Sequence, residues 1–205
     1  MGRIAGVTAA EVRERLLRAA ADVFAQRGYD GTRVADIARA AGVSNAALYA
    51  HFDSKAELLV EAVRAHGPRL LADVLRTDPA RPIGDVLLLV GRRLPRRRDA
   101  GGHLVVEALV AARRDPKLAA LMHTHLGDRA QWIAELVRSA QLTGDLDPAV
   151  PADAVAHFCM LLAMGSALIP RELHGVDPQR WDELLRRLIG ALAAPDHTTP
   201  EGRDP

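Results

Sequence analysis

Apolar positions recur along this chain every three to four residues, and that spacing predicts helices from one end to the other. Thr8-Ala9-Ala10-Glu11 is a capping box: the threonine hydroxyl accepts an amide of the first turn and the glutamate reaches back to the cap amide. A helix therefore begins at Ala9. Val12, Leu16, Ala19, Ala20, Val23 and Phe24 form its inward stripe, and Gly28 supplies a left-handed stop. Ser54-Lys55-Ala56-Glu57 repeats the box ahead of Leu58, Leu59, Ala62 and Val63, with Gly67-Pro68 as the kink or end of that helix. Further on, Asp78-Pro79, Asp115-Pro116, Asp147-Pro148 and Asp177-Pro178 mark loops and helix starts, because aspartate caps and proline tolerates the first turn. Helices are expected near Pro82–Leu94, Gly102–Arg113, Pro116–Leu142, Pro151–Leu168 and Pro178–Ala193. With three short ones before Ser54 and one after it, about nine are expected. No strand pattern or internal repeat interrupts them, and residues 196–205, polar with two prolines and a glycine, read as a disordered tail.

The segment Thr32 to Lys55, TRVADIARAAGVSNAALYAHFDSK, has the grammar of two helices joined by a tight turn. Thr32 is placed to cap the first, with Val34, Ile37, Ala38 and Ala41 inward. Gly42 permits the turn, and Ser44 caps a second helix with Leu48 inward. Small Ala38 lets the helices cross closely, which leaves the start of the second facing outward, where a major groove can receive it. Asn45, Ala46 and Ala47 would then face base edges, while Thr32, Ser44, Tyr49, His51 and Lys55 cluster where phosphates would lie. A packed helical corner with no nucleic acid involved uses the same grammar, so the turn alone does not decide between them.

Composition narrows the choice. The 205 residues are 49% hydrophobic, 26% charged and 3% aromatic, which fits a folded helical protein and not a sandwich of strands. Twenty-seven basic and 26 acidic side chains leave a net charge of +1, so any contact with DNA is local and shaped rather than one of bulk charge. One cysteine, Cys159, excludes an internal disulfide or a cluster of thiolates and fits a reducing compartment, the cytoplasm. The first eight residues lack a secretory stretch or a myristoylation motif. The charge-free run Ala154 to Ile169 is shorter than the roughly 18 to 20 residues that span a bilayer.

The residue order Gly28-Tyr29, Gly31-Thr32, Asp36-Ile37-Ala38, Ala41-Gly42-Val43-Ser44, Leu48-Tyr49, His51-Phe52 and Ser54-Lys55 resembles the tetracycline-repressor (TetR) family of bacterial regulators over about the first 65 residues. The resemblance implies an all-α protein: a three-helix DNA-binding domain over 1–54 and a larger ligand-binding and dimerisation domain over 55–195. It also implies repression relieved by a small molecule. By the family pattern, Thr32, Tyr49, His51 and Lys55 would contact phosphates, and Arg33, Asn45, Ala46 and Ala47 would approach bases. Ala46 stands where many members carry Gly or Pro, and Ala50 where a larger side chain is frequent. Few hydrogen bonds to bases remain available, so specificity leans on DNA shape.

In the last helix Trp181, Leu184, Leu185, Leu188, Ile189 and Leu192 make one apolar stripe. In the helix before it, Val155, Phe158, Cys159, Leu162, Ser166 and Ile169 form one face, and His157, Met160, Leu161, Met164 and Leu168 another. The resemblance implies that these two helices pair with their copies in a homodimer, with Cys159 a small apolar group at or near that interface; packing within one chain is the alternative. Two recognition helices about a two-fold axis would read a palindromic operator with half-sites about 34 to 36 Å apart. Candidate pocket residues are His103, Glu107, His125, Trp132, His157, Met160 and Met164, although core packing explains such residues equally. Only His103 and Glu107 have helical metal-ligand spacing, which argues against a metal site, and no cofactor or enzyme motif is present. The run Arg92, Arg93, Arg96, Arg97 and Arg98 is a solvated helix end or a contact to the DNA backbone. Together these features describe a sequence-specific DNA-binding transcriptional regulator, a ligand-responsive repressor acting as a dimer. The alternative is a helical interaction or scaffold protein whose turn is purely structural.

Overall fold

A computed structural model describes residues 8–67, 69–94, 100–169 and 175–194. Among them are ten α-helices: α1 Ala9–Arg27, α2 Val34–Ala40, α3 Asn45–Tyr49, α4 Lys55–His66, α5 Leu70–Thr77, α6 Ile83–Arg93, α7 Ala100–Ala112, α8 Pro116–Leu142, α9 Ala152–Leu168 and α10 Pro178–Gly190. The expectation for 196–205 lies outside the described residues, as do those for Arg96, Arg97 and Arg98. The helix not anticipated is α5, which starts three residues after α4 closes on Gly67. Its eight residues bury Leu71 and Val74 one turn apart, a stripe too short to stand out.

Side-chain caps open α1, α3, α4, α8 and α10. Both halves of the Thr8–Glu11 box form. At α4, Ser54 accepts the Glu57 amide, whereas the Glu57 carboxylate takes the amide of Asp53. Asp115 Oδ1 accepts the Leu118 amide at 3.0 Å, and Asp177 accepts those of Gln179 and Arg180, so both cap helices. Asp78 and Asp147 instead close turns, with α6 and α9 starting four residues further on from Pro82 and Pro151.

Two compact units result. The first joins α1–α4 to α7 and to α8 as far as Arg129, around a core that includes Leu16, Phe24, Ile37, Leu48, Phe52, Leu59, Leu104 and Met122. It therefore takes in more than the segment 1–54, because α7 packs on α1 and α4. The second unit joins α5, α6, the remainder of α8, α9 and α10, with Val86, Ile133, Val137, Leu146 and Val155 at its centre. Here α10 lies on α6: Leu185 fills the space over Gly91, and the Trp181 indole N–H donates to the Gly91 carbonyl at 3.1 Å. Its only pairing of extended backbone among the described residues is the isolated bridge between Leu146 and Ala193.

Candidate nucleic-acid interface

The turn between α2 and α3 is built by its own backbone. The Val43 amide donates to Ala38 O at 2.9 Å and the Gly42 amide to Arg39 O at 3.0 Å, the paired bonds of a Schellman motif. Gly42 has φ +67°, and a Cβ there would lie 2.9 Å from the Arg15 guanidinium, which itself donates to Ala41 O. The positive φ favours glycine here, and a side chain would in addition have to displace the flexible end of Arg15. Ser44 then caps α3 through the Ala47 amide at 3.1 Å. Leu48 is buried beneath α3, while Ser44, Asn45, Ala46 and Tyr49 are exposed, Tyr49 to 54% of its surface. A short helix is thus pinned from below with its first turn open to solvent, which suits insertion into a groove. Ala47 and His51 are half-buried at its margin, and Arg33, exposed, opens α2 from an extended N-cap conformation.

Thr32 and Lys55 are placed differently from expectation. Thr32 does not cap α2: it is 2% exposed, and its hydroxyl donates to Gly28 O at 2.6 Å. The hydroxyl is therefore closed to a phosphate as well. The Lys55 ammonium donates to Tyr29 O at 2.8 Å and Thr32 O at 3.2 Å and lies 4.1 Å from the centroid of the Tyr29 ring. Both residues hold the corner between α1 and α2. Sequence reasoning missed this because two carbonyls and a ring converge there only in three dimensions.

The same corner claims Glu107, expected in a pocket. Its Oε1 accepts the Tyr29 amide at 2.6 Å, and His103, one turn earlier, is exposed. The Tyr29 hydroxyl donates to Asp115 Oδ2 at 2.7 Å, and Arg114 pairs with Asp30. Burial, then the bond to Asp115, pushes the tyrosine pKa up. The Leu118 amide, then the Tyr29 hydroxyl, holds the Asp115 carboxyl below the ordinary carboxylate range.

The remaining pocket candidates are divided between the units. His125 is half-buried in the first unit, where desolvation, then the charges of Arg64 and Arg129, lowers its pKa. Trp132, Met160 and Met164 are half-buried in the second, Trp132 and Met160 against its core, and His157 is exposed. An open cleft of about 330 Å³ in the second unit is lined by residues including Pro82, Asp85, Leu88, Asp145 and Ile189, none of them in the expected set. A polar group that the sequence did not flag is His66 at the end of α4, whose Nε2 is buried without a hydrogen-bond partner.

The expected dimer stripe also divides. Val155 is buried and Leu185 is only 4% exposed, both within their own chain, and Trp181 is bound to Gly91. Cys159 and Leu192 pack partly on the second core, burial raising the Cys159 thiol to about 11; Leu162 and Ile189 are half-buried. What remains exposed is Phe158, Leu161 and Leu168 on α9, Ile169 at its C-cap, and Leu184 and Leu188 on α10. Leu161 and Leu168 fall on the α9 face that the sequence assigned to the pocket side. Arg92 is paired through Nε and Nη2 with Asp182 of α10.

Comparison with known proteins agrees with this geometry. Residues 16–62 match the family described as bacterial regulatory proteins, tetR family. The chain is 30% identical over 189 residues to the HTH-type transcriptional regulator TtgR of Pseudomonas putida, covering 84% of this chain and 89% of that protein. A putative TetR-family transcriptional regulator from Rhodococcus sp. shares the fold, with a TM-score of 0.74, 24% identity and coverage of 90% and 100%. A putative transcriptional regulator from Saccharomonospora viridis, solved in complex with choline, matches with a TM-score of 0.62 and 26% identity over 88% of this chain and 96% of that one. These relatives favour DNA binding over a purely structural turn. The chain belongs to the TetR family of bacterial regulatory proteins and is a DNA-binding transcriptional regulator.

Proposed function

We propose that this regulator is a repressor that binds a palindromic operator as a homodimer in the cytoplasm and releases it when a small molecule binds within 55–195, leaving 1–54 to read DNA. The observation that carries the reading is the exposed face of Ser44, Asn45, Ala46 and Tyr49 on a helix anchored by buried Leu48. In this reading Arg33, Asn45, Ala46 and Ala47 meet base edges, and Ser44, Tyr49 and His51 meet phosphates. Repression relieved by a ligand is what family membership carries, and the choline-bound relative supports a small organic effector. Within the first unit, His66 and His125 are polar groups suited to such a ligand; within the second, Trp132, Met160 and Met164 are apolar ones.

The dimer face is assigned to Phe158 and Leu161 of α9 and Leu184 and Leu188 of α10, the large apolar side chains left half-exposed on the two helices that the family pairs with their copies. A second copy is the partner that a two-fold operator requires. Among the described residues no helix is long and apolar enough to cross a membrane.

Selection of duplexes from a random DNA pool by the full chain at physiological salt tests this reading. A palindromic consensus is expected, together with loss of the dimer and of tight binding in Phe158→Glu/Leu188→Glu. Enrichment of a single half-site, bound equally well by that variant, contradicts the dimer.

A further inference from the structure

The corner Gly28–Thr32 is held from outside its own helices. Gly28 sits at φ 70°, ψ 171°, a conformation open essentially to glycine, and a Cβ there would lie 3.0 Å from Glu107 Oε1. The same oxygen accepts the Tyr29 amide at 2.6 Å. A backbone amide facing a carboxylate at that distance is a charge-assisted bond, about twice as strong as one between neutral groups. Asp115, Arg114 and Lys55 add the Tyr29 hydroxyl, the Asp30 carboxylate and the carbonyls of Tyr29 and Thr32.

The α2–α3 pair, by contrast, is closed by its own turn. Ile37, Ala38 and Leu48 hold it against the core through apolar contacts, which have no preferred direction, and α1 adds the Arg15 bond to Ala41 O and the Arg27–Asp36 ion pair. Directional bonds to Tyr29 and Thr32 fix where the chain enters α2, and Arg33 comes immediately after. We propose that Glu107 of α7 is a positioning residue for DNA reading: by holding the Tyr29 amide it sets the attitude of the α2–α3 pair, although it does not touch DNA. A residue first suggested by its spacing for a ligand pocket is thereby reassigned to the reading head. The inference rests on the DNA-binding activity and needs neither an effector nor the dimer.

The test uses the full chain and the duplex selected by the unaltered protein, with affinity measured beside amide hydrogen exchange. Glu107→Ala is expected to bind that duplex about tenfold more weakly, the scale of one charge-assisted hydrogen bond. Exchange at Tyr29 should accelerate while amides of α1 and α4 stay protected. Glu107→Gln, which keeps an acceptor oxygen, is expected to recover most of the affinity. Wild-type affinity in Glu107→Ala despite faster exchange at Tyr29 overturns the proposal, as does equal weakening by both variants with Tyr29 exchange unchanged. Should Glu107→Ala fail to fold, Glu107→Asp, which keeps the charge but draws the carboxylate back from the Tyr29 amide, carries the same test. Faster exchange at Tyr29 with binding weakened about threefold to tenfold is expected, and faster exchange with wild-type affinity overturns the proposal.

Discussion

Two glycine turns flank α2, and they are closed in opposite ways. At Gly42 (φ +67°) the amides of Gly42 and Val43 return to carbonyls of the same helix, with Arg15 adding one bond from α1. At Gly28 (φ +70°) the Gly28 amide returns to Phe24 O and the Thr32 hydroxyl to Gly28 O, and residues 29–32 are held in addition by Glu107, Asp115, Arg114 and Lys55, between 23 and 86 residues away in sequence. A turn closed locally is a rigid part. A turn held by remote side chains takes its setting from where those helices lie. The first fixes the shape of the reading head, and the second its mounting.

The sharpest way to break this contrast is to remove the anchor of the rigid part. Leu48→Ala leaves a cavity under α3 and is expected to cost about 2–5 kcal/mol, read by chemical denaturation, with operator binding lost. Gly42→Ala combines a strained φ with the nearby Arg15 guanidinium and should cost about 1–3 kcal/mol in the same assay. Gly28→Ala should cost a similar about 1–3 kcal/mol, yet its crowding comes from a carboxylate. Combined with Glu107→Ala it should therefore be less than additive, whereas Gly42→Ala with Glu107→Ala should add to within about 0.5 kcal/mol. Equal additivity in the two double-mutant cycles would erase the distinction between the turns.

The smallest expected effect is at the hydroxyl of Tyr29. Tyr29→Phe should lower stability by about 1 kcal/mol at neutral pH. The Asp115 carboxyl has its pKa depressed in the folded protein, first by the Leu118 amide and then by this hydroxyl. That contribution is complete above the unfolded value and disappears as pH falls through the folded one. The gap between Tyr29→Phe and the unaltered protein should accordingly narrow below about pH 4 in a denaturation series. A gap independent of pH would mean that the ionised Asp115 carboxylate is not what the hydroxyl stabilises.

The contrast also explains what was legible in the sequence. Helix bounds at α1 and α8 and the start of α10 follow from caps and periodicity over a few residues, although α10 ends at Gly190 rather than Ala193, and so does the Gly42 turn, because every backbone group that closes it lies in one short segment. Glu107, Thr32 and Lys55 were assigned other partners since their bonds are set by the fold of the corner, where Glu107 and Lys55 meet residues far away in the chain, and no spacing encodes such a meeting. The stripe on α10 was legible as apolar. Its division, Leu185 and Trp181 inward onto α6 and Leu184 and Leu188 outward, depends on Gly91 opening a place on the neighbouring helix.

The central claim, that the exposed face of α3 is the DNA-reading surface of a protein whose fold does not need it, is tested most directly by Tyr49→Ala. Affinity for the selected duplex and thermal unfolding are measured on the same sample. Tyr49 is 54% exposed, so its ring contributes little to the core. The account predicts a loss of affinity of about tenfold or more, the scale of one phosphate contact at a folded interface, with the melting temperature unchanged. Unchanged affinity in the folded variant would contradict it.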